Sequence, residues 1–115
     1  MTAFDPRWDG TSIPESHWHF HRRLLERYGF VMGPGDFGAM LKAIKDGKAL
    51  MVRNRGRGQR IYWCKIRSAY ERIYVLVGRG GMILTAWPPT SEITGYRRQA
   101  QARQEAERKR HAATR

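Results

Sequence analysis

The sequence predicts an α+β domain in which two helices pack on a four-stranded antiparallel sheet, followed by a basic C-terminal tail that is helical or disordered. Three observations predict it. Apolar residues recur at helical spacing as far as Gly47, the period then drops to two, and beyond Tyr96 the only apolar side chains are alanines. A chain of 115 residues, 41% of them hydrophobic, has room for one modest core. Residues 1–95 are therefore assigned to a single domain with an irregular N-terminal arm, and 96–115 to the tail.

The arm, 1–11, mixes Pro6 and Gly10 with the aromatics Phe4 and Trp8 without a repeat, and Trp8 is expected to pin it. Ser12 and Glu15 stand three apart with Pro14 in the first turn, the spacing of a capping box, so a first helix is expected over 13–28 with Gly29 as its stop. Ile13, Phe20, Leu24 and Tyr28 form its apolar stripe, flanked by Leu25. After Gly33, Pro34 and Gly35 break the chain, Asp36 is expected to cap a second helix. Phe37, Met40, Leu41 and Ile44 supply its i, i+3, i+4, i+7 face, and Gly47 ends it.

Four stretches rich in Val, Ile, Tyr and Trp follow, at 49–53, 59–67, 72–77 and 82–87, joined by short turns that imply a meander. Within 60–67 the alternation is imperfect and leaves open which face is wet. Pro88 and Pro89 end the last strand, because proline supplies no ladder donor. The tail carries seven Lys or Arg against two Glu and has no stripe to bury, so its removal after Thr94 is expected to leave the domain folded.

Charge narrows the function classes. Twenty-two Lys and Arg against ten Asp and Glu give a net charge of +12 and point to a polyanionic partner. The longest wholly apolar run, 73–77, is far shorter than the ~20 residues that span a bilayer, and no signal pattern opens the chain, so no membrane role is expected. The lone Cys64 can form neither an internal disulfide nor a multi-cysteine zinc site, which fits a cytoplasmic protein, in a host cell or a virion if phage-encoded.

Three histidines fall in five residues, His17, His19 and His21. On a helix only His17 and His21 share a face, which leaves a zinc site short of ligands, so no metal is assigned. These two are expected on the sheet-facing stripe, satisfied by hydrogen bonds, with His19 pointing away beside Arg22, Arg23 and Glu26. A metal-free alternative uses imidazoles as acid and base on a ribose 2′-hydroxyl, arginines on the phosphate and a hydroxyl such as Thr85 to orient it. Arg53, Arg55, Arg57 and Arg60, interleaved with Gly56 and Gly58, are the candidate phosphate contacts, and Arg79 in the second Gly-rich turn joins them.

His19, Arg23, Glu26, Arg27 and Gly29 read as H-x3-R-x2-E-R-x-G, followed by a Gly-ended helix, a meander and Thr85-Ala86-Trp87-Pro88. Over roughly residues 14–88 this resembles the small phage- and toxin-associated domains of the barnase, EndoU, colicin and RelE-like ribonuclease group. The resemblance implies a metal-independent, cofactor-free scaffold on which His19 matches the helix histidine, Arg23 and Arg27 the basic residues after it, and Thr85 the last-strand hydroxyl. The expected function is nucleic-acid binding, RNA favoured over DNA, with or without RNA cleavage. The alternative is a non-enzymatic accessory or virion protein whose 96–115 tail docks a protein partner or a genome.

Overall fold

In the computed structural model, which describes Trp8 and residues 13–113, the period-two stretches form one sheet in the order β1 (Leu50–Gly56), β2 (Gln59–Ile66), β3 (Glu71–Val77) and β4 (Ile83–Trp87). Every neighbouring pair is antiparallel, as expected of a meander. The first turn is a two-residue loop with positive φ at both Arg57 (56°) and Gly58 (79°), the handedness that matches strand twist. The run 73–77 is buried at every position, so β3 is covered on both faces. That explains the ambiguity of β2: neither face of the sheet centre is wet.

One face carries α1 (Trp18–Tyr28) and α2 (Pro34–Lys45). Phe20, Leu24, Phe37 and Met40 from these helices meet Cys64, Ile66, Ile73, Val75, Val77 and Ala86 from the strands. The α1 stripe is thus borne out at Phe20 and Leu24, and Gly29 ends the helix in the left-handed region at φ 78°. Two boundaries differ from expectation. A 3-10 turn, Glu15–His17, precedes α1, and Ser12 lies outside the described residues. Gly33, not Asp36, is the N-cap of α2; Asp36 sits at the third helical position, where its carboxylate accepts the Gly33 N–H at 3.3 Å. Trp8 does act as a pin: its indole N–H donates to the Met32 carbonyl at 2.6 Å.

The end of α1 also secures the edge strand. Arg27 donates to the Ala86 carbonyl and the Tyr28 hydroxyl to the Trp87 carbonyl, both at 2.7 Å, while Tyr28 Oη accepts the Tyr74 N–H at 2.9 Å. The phenol therefore bridges paired residues of β3 and β4, and burial pushes its own pKa up to about 12. Tyr28→Phe orphans a backbone donor and a carbonyl together. It should lower stability by about 1–3 kcal/mol, read from the urea midpoint.

The C-terminal segment is where the expectation fails. Residues 96–113 are helical, but they are not a detached tail: they belong to α3 (Ser91–Ala113), a third helix on the other face of the sheet. Thr90 caps it, its Oγ1 accepting the Ile93 N–H at 3.3 Å. Ile93 and Ala100 are buried and Tyr96 half-buried, and with Val52, Ile61, Tyr74 and Leu76 the first turns of α3 close a second core layer. Beyond Ala100, residues 101–112 are exposed. The domain has three layers, helix pair, sheet and single helix.

Candidate nucleic-acid interface

Two bulges shape the α3 side of the sheet. Val52 and Arg53 together oppose Ile61, and Arg55 and Gly56 oppose Gln59, so Arg53 and Arg55 both turn toward the α3 face. There the Arg53 guanidinium lies 4.0 Å from the Tyr96 ring centre and that of Arg55 lies 4.8 Å from Trp87. Further down the same face Trp63 meets two guanidinium groups, Arg72 at 4.8 Å and Arg97 at 4.5 Å, and stacks on Tyr74 at 6.4 Å. Four arginines and three aromatic rings thus alternate across one surface. In each contact the guanidinium carbon lies over a ring, where a cation is attracted to the ring face, and Arg53, Arg55 and Arg72 are exposed and can reach an anion.

Arg57 and Arg79 sit at one end of this surface, because the β1–β2 and β3–β4 turns of a meander fall at the same end of the sheet. The Arg79 side chain packs so close to Gly58 that a Cβ there would lie 3.2 Å from the Arg79 Cβ. Arg60 is placed differently. It pairs with Val77, whose side chain belongs to the opposite core, and therefore points to the helix-pair face near the same turn end. Of the five arginines expected at phosphate, four share one surface and one end, and Arg60 points to the opposite face.

No family model, curated protein or solved structure matches this chain.

The residues expected to cleave RNA do not converge. His19 is exposed on α1, Arg23 is engaged by Glu26 at 2.7 Å, and Arg27 is spent on the Ala86 carbonyl. Thr85 pairs with Leu76 and so faces α3, across the sheet from α1; its hydroxyl oxygen is buried. No imidazole of α1 can share a phosphate with Thr85 through the sheet. His21 is fully buried among the rings of Trp8, Phe20 and Phe37, and His17 lies 4.6 Å from Phe37, so the two do share the inward face expected of them. Burial pushes the Cys64 thiol up to about 12, leaving no thiolate nucleophile at neutral pH. Among the described residues no cluster of three or more His, Cys, Asp or Glu could hold a metal ion, and no helix is long and apolar enough to cross a membrane.

Trp63, Arg72, Trp87, Tyr96 and Arg97 are the residues of this arginine–aromatic surface that the sequence pattern concealed. Tyr96 and Arg97 were hidden by the boundary drawn before them. Arg72 and Trp63 could have been paired in advance, because strands in register set Lys65 opposite Arg72 and bring Trp63 within diagonal reach.

Proposed function

We propose that this protein binds nucleic acid without cleaving it, through the α3 face and the turn end of the sheet. The observation that carries the reading is the set of four guanidinium–ring stacks on one surface, Arg53 on Tyr96, Arg55 on Trp87, and Arg72 and Arg97 on Trp63. An arginine held over an aromatic ring still carries donors that phosphate can accept from, and the ring itself is a surface on which a base can stack. A net charge of +12 supplies long-range attraction, to which Arg103, Arg108, Lys109 and Arg110 on the exposed end of α3 contribute.

A salt titration with labelled RNA and DNA in EDTA tests this, read on gels that report retardation and strand length together. Affinity should fall steeply with salt and the RNA should remain full length. Replacing Arg53, Arg55, Arg57 and Arg60 by alanine should flatten the log–log slope by roughly 2 to 3, since three of the four lie on this surface and each phosphate contact contributes about 0.7 to 0.9. A slope equal to the parent's would remove the hairpin from the interface, and metal-free cleavage would return the ribonuclease assignment of His19, Arg23, Arg27 and Thr85.

A further inference from the structure

We infer that the nucleic acid taken by this surface is a single strand, and that the strand continues from the arginine–aromatic row into a groove between α2 and α3; this rests on the nucleic-acid reading above. The groove has a volume of about 630 Å³. It lies where β1 starts late: its pairing with β2 begins at Leu50 and Trp63, so Cys64 and Lys65 at the end of β2 have no strand partner on that side. Ala39 and Ala43 of α2 line one side of the groove, and Gln101 and Gln104 of α3 line the other.

Charge in the groove is positive. Lys48, Lys65 and Arg67 line it, all three are exposed, and among the described residues none of them makes an ion pair. The two carboxylates on the rim are already engaged: Asp36 accepts hydrogen bonds from Ser68 and Gly33, and Asp46 is bridged by Lys42 at 3.0 Å. Trp63 and Arg72 line the groove and also belong to the stacked row, so the two regions meet at one indole.

These features suit an unstacked base flanked by phosphates. In a duplex the base faces are consumed by the helix's own stacking, and an indole has nothing to receive. In a single strand a base can replace Arg72 on Trp63, because base–aromatic stacking outweighs an exposed cation–π contact, and the displaced guanidinium is left beside the phosphate. Lys48, Lys65 and Arg67 then follow the backbone, while the Gln101 and Gln104 amides can donate to and accept from base edges. A groove of this volume is the size of a small-ligand pocket, room for a base and its flanking backbone and not for a double helix.

The test uses the full chain with labelled ~12-nucleotide single strands of RNA and DNA and the corresponding duplex, a length within the site sizes of single-strand binders. Either single strand should bind about tenfold or more tighter than the duplex at equal salt, and the RNA-to-DNA ratio distinguishes which sugar is preferred. Lys48→Ala, Lys65→Ala and Arg67→Ala combined should lower the single-strand salt slope by about 2, with little change for the duplex. A duplex that binds as tightly as the single strands, or a triple variant with the parent's slope, overturns the inference while the nucleic-acid reading stands. A parent that retains none of these probes at low salt overturns both.

Discussion

A chain ended after Thr94 is expected to lose cooperative unfolding, whereas one ended after Gln104 should melt close to the parent. The first cut removes Tyr96 and Ala100 and leaves Ile93 on a stub with no helix to hold it. Val52, Ile61, Tyr74 and Leu76, each less than a tenth exposed, then face water on the α3 side. Fully burying one such side chain contributes roughly 1.5–3 kcal/mol, and uncovering several of them approaches the ~5–15 kcal/mol that stabilises a whole small domain. Among the described residues the second cut removes only exposed ones, 105–112. Thermal melts followed by circular dichroism compare the two. Equal midpoints for both truncations would mean that α3 does not hold the second core layer.

The error at the C-terminus has a physical origin. The stripe Ile93, Tyr96, Arg97, Ala100 has the i, i+3, i+4, i+7 spacing of any packed helix. A boundary drawn at Tyr96 cuts the stripe in two, and its members are poor advertisements: an alanine, an arginine whose stem packs while its head stacks on Trp63, and a tyrosine. The decisive signal lay elsewhere in the chain. Residues 73–77 are apolar without alternation, and a strand in a meander reads that way only when both of its faces are covered. Two helices on one face leave the other without a cover, so the sequence required a third layer.

The rest of the fold was legible because its signals are local. Gly29, the Pro34 turn and the apolar faces of α1 and α2 depend on neighbours within a few residues, and so do the four strands and their order. The site was legible only in part. Charge and the two Gly-rich turns picked out Arg53, Arg55, Arg57, Arg60 and Arg79, but which face Arg53 and Arg55 take depends on two bulges that no period-two pattern displays. The faces of the three histidines were legible from helical spacing, but the distance of His19 from Thr85 was not: the two are 66 positions apart, and only the topology reveals that the sheet stands between them.

His21 should make stability depend on pH between about 6.5 and 4, and His21→Phe should remove that dependence. Its ring is fully buried, with Trp8, Phe20 and Phe37 centred 5.3, 5.4 and 5.3 Å away, and burial, with a smaller contribution from the charge of His17, pushes its pKa down from 6.5 to about 4. Above pH 6.5 the imidazole is neutral in both the folded and unfolded chain, and the native state keeps its full advantage. As pH falls toward 4 the unfolded chain binds a proton that the folded chain refuses, so folding weakens, by about 3 kcal/mol at the lower limit. Carboxylates titrate in the same range, but they do so in parent and variant alike, so the difference between the two isolates the buried ring. Urea midpoints at about pH 7.5 and pH 4.5 give that difference. His19→Ala, altered on the exposed side of α1, should follow the parent at both pH values. Parallel loss of stability in the parent and His21→Phe would show that the ring takes up its proton without disturbing the packing between α1, α2 and Trp8.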